Sequence, residues 1–223
     1  MVGWQSRVAW GRMVGKFITF EGVEGAGKST QMRFLASYLR HAGFEVIVTR
    51  EPGGTPVAEA IREVILSGAV KDLGPESEAV LFAAARADHV DRVIRPALQR
   101  DGWVLCDRFT DSTRVYQGTA DGADPALIRA LERVAVGDTR PDLTIVLDLP
   151  AQVGMARTEA REEAPDRFEA EEASRHELRR QAYLDIARGE PERCVVIDAQ
   201  RPAEDVAEAI RRLVDIRLLD RAA

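Results

Sequence analysis

Gly22, Val23, Glu24, Gly25, Ala26, Gly27, Lys28, Ser29 and Thr30 form a run that could cradle a phosphate chain. Small residues let backbone N–H groups converge on an anion, a lysine can reach β- and γ-phosphate oxygens, and a serine hydroxyl can ligate Mg²⁺. The run follows an apolar segment at 17–20 and opens a helical pattern, whose amino end adds partial positive charge. A glycine-rich turn without a ligand is the alternative, but it does not call for Gly27, Lys28 and Ser29 together. Asp107 closes the apolar run 103–106, a pattern that can hold a Mg²⁺ water shell; taken alone it reads equally as a cap or turn residue. Taken with the glycine loop, the metal role is preferred. Arg50, Arg86 and Arg108 offer guanidinium forks suited to phosphate oxygens and carbonyls, unless they form an internal salt-bridge set with Glu51, Asp107 and Asp111. Phe82 precedes Arg86 by one helical turn, so it is either a core residue or a base-stacking face beside a hydrogen-bonding edge. His41, His89 and His176 fall in no pattern with Ser, Cys or metal ligands and read as surface or structural.

The elements that must position these groups follow from periodicity. Apolar runs at 17–20, 45–49, 103–106, 143–147 and 195–197 read as strands, and helical patterns lie between them. That alternation predicts a parallel sheet with helices on both faces, its strands buried on both sides. Candidate residues follow the strands' carboxyl ends, where open parallel sheets bind ligands. The first helix is expected over 28–42, with Met32, Leu35 and Leu39 on one face and Gly43 as a left-handed stop. Pro56 suits the first turn of a helix reaching Leu66. An alanine-rich helix follows Gly74 and should kink or restart at Pro96. Asp124 and Pro125 open a helix that Gly137 closes, and a final amphipathic helix starts near Ala203. The stretch 157–169 mixes both charge signs and contains Pro165; it reads as a solvated helix or as a mobile lid.

At 223 residues the chain suits one domain, 13–223, with a lid at about 151–169; residues 1–12 read as a poorly ordered extension ahead of Met13. The 31 basic and 37 acidic residues leave a net charge of −6, spread along the chain, which argues against nonspecific nucleic-acid binding as the main activity. Cys106 and Cys194 lie in strand-like runs and read as buried and reduced, which suggests the cytoplasm. No apolar run approaches the ~20 residues of a membrane span.

Together these pieces resemble the thymidylate kinases over about residues 16–213. The resemblance is carried by Thr49-Arg50-Glu51-Pro52-Gly53-Gly54-Thr55-Pro56, by the glycine loop beginning at Phe20, and by Leu81 to Ala87. Asp107-Arg108-Phe109, Ser112-Thr113, Tyr116-Gln117-Gly118 and Asp166-Arg167-Phe168-Glu169 complete it. It implies the P-loop NTPase fold of nucleoside monophosphate kinase type, with a five-stranded parallel sheet. It further implies Mg²⁺·ATP as phosphoryl donor, dTMP as acceptor and a homodimer. By the same resemblance Arg50 and Arg108 would hold the dTMP phosphate, with Ser112 beside them. Phe82 would stack on thymine, Arg86 would bond its carbonyl edge, and Gln117 would line the base pocket. Glu24 would lie near the sugar, and Tyr116 would crowd its 2′ position. Ser29 and Asp107 would hold the metal. The loop lacks an arginine, so the transition-state arginine would come from the lid: Arg157 or Arg161 in preference to Arg167. Bacterial relatives often carry a basic residue where Asp121 stands, which puts any contact from that position in doubt. The rivals are another nucleoside monophosphate kinase on the same scaffold, a nucleotide switch, and a degenerate binding module. No guanine-reading Asn-Lys-x-Asp pattern supports the switch, and the intact Lys28 and Ser29 disfavour the module.

Overall fold

The computed structural model describes residues 15–160, 168 and 172–219. Five parallel strands form the sheet: β1 (Phe17–Glu21), β2 (Val46–Arg50), β3 (Trp103–Asp107), β4 (Leu143–Asp148) and β5 (Cys194–Asp198). Their order is β2-β3-β1-β4-β5, with β1 paired to β3 and β4. The three central strands are buried almost throughout, as near-continuous apolarity predicts for strands covered on both faces. The edge strands β2 and β5 alternate instead between covered and open positions, so the expectation of burial on both sides holds only for the centre.

One face carries α1 (Lys28–His41) and α9 (Ala203–Leu218), whose Leu35, Leu39, Val206 and Ile210 pack with Phe20 and Leu105. Gly43 follows α1 with φ 92, as expected of a left-handed stop. The other side holds α2 (Pro56–Leu66), α3 (Pro75–His89) and α6 (Pro125–Val136). Thr55 caps α2 by accepting from the Ala58 N–H, and Asp124 caps α6 by accepting from the Ala126 N–H. After α3 the chain widens into a π-turn, Val90–Ile94, and resumes as α4 (Arg95–Gln99) with Pro96 in its first turn. The restart at Pro96 therefore takes the form of a π-bulge rather than a break.

The segment after β3 was not assigned from the sequence. It is a short helix, α5 (Thr110–Thr113), running into a seven-residue π-helix, Arg114–Ala120. An N–H from Asp121 to the Tyr116 carbonyl at 3.0 Å marks the wide turn. The chain continues through α7 (Ala151–Glu159) and α8 (Ala173–Gly189). Residues 1–12 and most of the charged stretch 157–169 lie outside the described residues. Among those described, no helix is long and apolar enough to cross a membrane.

Candidate active site

The chain leaves β1 through Gly22, at φ 135, where a Cβ would stand 2.5 Å from the Leu147 carbonyl oxygen. Only glycine fits that exit. The loop then turns back, and Lys28 at the start of α1 donates from Nζ to the Gly22 and Val23 carbonyls, each at 3.1 Å. Burial lowers the pKa of this ammonium, with Arg108 adding to the effect against the attraction of Asp107 and Glu24. Ser29 Oγ donates to Asp107 Oδ2 at 3.1 Å, joining α1 to the end of β3. Asp107 Oδ1 is buried with no hydrogen-bond partner among the described residues. A hydroxyl beside a carboxylate with an uncommitted oxygen is a hard donor set that fits Mg²⁺.

Glu24 projects from the loop into a cage of donors. Its Oε1 accepts from Arg108 Nη2 at 3.0 Å and from the Tyr116 hydroxyl. Its Oε2 lies 3.1 Å from His176 Nδ1 on α8. Burial opposes the charged form, yet the His176 hydrogen bond and the charges of Arg108 and Lys28 prevail and hold the carboxyl well below the usual range. Arg108 sits at φ 69, a left-handed backbone that non-glycine residues adopt rarely and chiefly where their surroundings impose it. Its Nη1 donates to Ser112 Oγ at 3.2 Å and Tyr183 Oη at 3.0 Å, so four elements meet at one guanidinium.

The opposite wall comes from α3. Arg86 is only 3 % exposed; its Nε donates to Glu51 Oε2 at 2.6 Å and its Nη2 to the Phe109 carbonyl at 3.0 Å and Thr113 Oγ1 at 3.1 Å. Phe82 is half-buried, lies in the cleft wall and belongs to none of the buried apolar clusters. Gln117 Nε2 reaches Glu78 Oε2 at 3.4 Å. Arg50, at the end of β2, is held by both Glu59 oxygens at 3.1 Å. The space between these walls and the P-loop is one cleft of about 330 Å³, within the range of small-molecule sites.

Most residues singled out from the sequence meet here. Glu24, Gly25, Gly27, Lys28, Ser29 and Thr30 line the cleft from the loop side. Arg50, Phe82, Arg86 and Asp107 line it from the strand ends and α3, and Arg108, Ser112, Tyr116 and Gln117 from the segment after β3. Val23 and Ala26 instead turn into the core beneath α1. Arg157 is not in the wall: its Nη1 lies 3.5 Å from the Gly25 carbonyl and 3.2 Å from that of Ala199. Arg161 and Arg167 lie outside the described residues. The considered salt-bridge set is corrected in part. Arg86 does pair with Glu51, but Arg108 pairs with Glu24, Arg50 with Glu59, and Asp111 with Arg114 and Arg193. Asp121, the departure from the family pattern, pairs with Arg175 on α8.

Of the histidines read as surface or structural, His41 is exposed, while His89 and His176 are buried in polar clusters that the sequence did not show. His89 is fully buried and forms a cluster with Glu51 and Cys106, whose potential ligand atoms lie within 4.8 Å of one another. His176, 2 % exposed, touches the P-loop glutamate. The buried residues of α8 include His176, Arg179 and Tyr183, spaced three and four apart, so its inward stripe is polar and aromatic rather than aliphatic.

A P-loop on a 2-3-1-4-5 parallel sheet, facing a second slot walled by arginines and an aromatic ring, defines a nucleoside monophosphate kinase. The family model for thymidylate kinase matches residues 20–210. A thymidylate kinase from Bradyrhizobium diazoefficiens is 55 % identical over 207 residues, covering 92 % of this chain and 91 % of that protein. One from Nitrobacter winogradskyi is 56 % identical over 198 residues, covering 88 % and 86 %. The crystal structure of thymidylate kinase from Ehrlichia chaffeensis superposes with a TM-score of 0.70 at 33 % identity, covering 90 % of this chain and 98 % of that one. The chain belongs to the thymidylate kinase family. It is accordingly an ATP-dependent kinase that phosphorylates dTMP to dTDP.

Proposed function

We propose that the two ends of the cleft divide the reaction between them, ATP phosphates on the glycine loop and dTMP in the arginine-lined slot. The observation that carries this is the convergence of Glu24, Arg108, Arg86, Phe82 and Gln117 on one cleft continuous with Lys28 and Ser29. Phe82 offers a stacking face and Arg86 a donor edge for thymine, while Gln117 adds an amide. Arg50 and Arg108 are held by the carboxylates of Glu59 and Glu24, which a phosphate dianion would replace as acceptor. Tyr116, fixed by Glu24, narrows the sugar end.

The acceptor needs no general base, because a phosphate monoester with a second pKa near ~6 is already mostly dianionic at neutral pH. What remains is alignment of two polyanions and neutralisation of charge moving toward the bridging oxygen. Lys28 supplies one positive charge there. Ser29 and Asp107 would hold Mg²⁺, which would supply charge neutralisation to the phosphate chain. Transition-state charge would further come from Arg157, Arg161 or Arg167, since the loop itself has no arginine; such a group is worth on the order of 10³–10⁵ in rate in related phosphoryl transfers. Residues 13–223 would act as one domain, as a homodimer in the cytoplasm.

The test is a panel of acceptors with ATP: dTMP, dUMP, dCMP, AMP and thymidine, with wild-type protein and Lys28→Ala. dTMP is expected to be the preferred acceptor. The variant is expected to lose about 10²-fold or more in kcat, the scale for removing one charge-stabilising donor, with its circular dichroism spectrum unchanged. Preference for another monophosphate would favour the related-kinase reading, and retained turnover in Lys28→Ala would remove the glycine loop from the chemistry.

A further inference from the structure

Behind the α3 wall of the cleft runs a buried polar relay. Thr49 Oγ1 lies 2.7 Å from His89 Nε2, and His89 Nδ1 lies 3.0 Å from Glu51 Oε1. The second oxygen of Glu51 accepts from Arg86 Nε at 2.6 Å. Facing a carboxylate, His89 Nδ1 donates to Glu51, and Nε2 and the Thr49 hydroxyl share the second hydrogen bond. The loop 50–55 is seated on the same imidazole: a Cβ on Gly54 would stand 2.7 Å from both His89 Nε2 and Thr49 Oγ1. A second bond, from Thr55 Oγ1 to Asp88 Oδ2, ties the loop to α3 one residue earlier.

Cys106 completes a trio with Glu51 and His89 that has the composition of a metal site. The ligand atoms are already committed, however. Both imidazole nitrogens and both Glu51 oxygens have partners. Burial, reinforced by the charge of Glu51, raises the thiol well above its ordinary pKa, so the sulfur stays protonated. The trio is a hydrogen-bonded joint.

Arg86 and Arg50 arise from different elements, the last turn of α3 and the end of β2. An acceptor with a base at one end and a phosphate at the other must engage both at a fixed separation. We propose that His89 is the positioning residue that sets this separation, through Glu51 on Arg86 and through Thr49 and Gly54 on the loop behind Arg50. This rests on reading the slot as the dTMP site. A buried network of this kind fixes geometry only while every member is satisfied. Lys28 and Ser29 share no hydrogen bond with it, so the donor side should not feel its loss. Loss of positioning that acts alike on bound acceptor and transition state raises KM and leaves kcat.

The experiment is steady-state kinetics with dTMP and ATP varied separately, alongside melting temperatures. His89→Phe fills the volume and removes both bonds. It is expected to raise the dTMP KM about tenfold or more, the scale of losing one hydrogen bond to a charged group, with kcat and the ATP KM near wild type. His89→Asn keeps an amide at the Nδ1 position and is expected to recover part of that loss. His89→Gln, with its amide at the Nε2 position, restores the other bond and is likewise expected to recover part. If His89→Phe does not fold, the Asn and Gln variants, each lacking one of the two bonds, are expected to show an intermediate rise in the dTMP KM. The proposal is overturned if wild-type protein turns over dTMP normally and no His89 variant moves its KM. It is equally overturned if the ATP and dTMP constants rise together, or if neither Asn nor Gln recovers any of the loss. Absence of dTMP turnover in the wild type would overturn the reading of the slot and this proposal with it.

Discussion

Glu21 is the last residue of β1, and its side chain is fully enclosed, accepting from the Phe109 N–H at 2.8 Å and Ser112 Oγ at 2.7 Å. Burial and then the neighbouring charge of Asp111 push its carboxyl up to about 7, against the pull of Arg108. The unfolded chain would release this proton near the ordinary value of 4.5, so folding retains a proton between about 4.5 and about 7. The stability this confers is complete below the lower value and is lost as pH rises through the upper one. Glu21→Gln carries no such proton. The wild-type melting temperature is therefore expected to fall relative to that of Glu21→Gln as pH is raised from about 4 to about 8, by the linkage of proton binding to folding. Parallel curves would show Glu21 to be an ordinary ionised carboxylate. Lys28, Ser29 and Asp107 were legible in the sequence because their residue types stand at positions set by local chain geometry. The His176 contact was not, because it joins residues 152 apart and depends on which face of α8 turns inward.

At the level of elements, β1, α1 and the capped starts of α2 and α6 follow from periodicity, caps and glycines that act within a few residues. The π-helix Arg114–Ala120 has no comparable local signature, although it brings Tyr116 and Gln117 to the cleft together. Helix α7 shows a function that composition hides. A Cβ on Gly25 would stand 2.2 Å from the Gly154 carbonyl oxygen, and a Cβ on Gly154 would stand 2.4 Å from that of Glu24. The P-loop and α7 thus touch backbone to backbone, with Arg157 bonding the Gly25 and Ala199 carbonyls beside the contact. In an exposed helix Gly→Ala gains about 0.5–1 kcal/mol. Here the clash is with backbone on a loop that must hold its shape, and overpacking of this kind typically costs about 1–3 kcal/mol. Gly154→Ala is expected to lower the melting temperature and raise the ATP KM, because Glu24 and Gly25 must move. A more stable variant with unchanged ATP KM would show that α7 yields freely.

On the scale of the whole molecule, the sheet order was not readable from the strand segments. It is set by where the crossover connections return each strand, and β2 and β5 became edges although their sequences look as apolar as the centre. The distinction between covered and uncovered faces bears on assembly. Helix α3 packs between α2 and α6, and this layer leaves several valines in solvent: Val57 and Val64 on α2, Val80 on α3 and Val134 on α6. Val57 and Val64 are seven apart and so share a stripe of α2. Single exposed apolar residues need no explanation, whereas several on one helical layer suit an isologous contact between two copies. The cleft opens at the carboxyl ends of the strands, so a contact through this layer would bury the outer surface of the helix that carries Phe82 and Arg86. Sedimentation is expected to show a particle of twice the 24.6 kDa chain mass. Val80→Glu places a charge at the centre of that layer, where two copies related by a twofold axis would bring like charges together. The variant is expected to sediment as a monomer with its circular dichroism spectrum unchanged and to bind dTMP more weakly, since α3 loses its outer support. A wild-type monomer, or a variant that remains dimeric, would place the contact elsewhere or remove it.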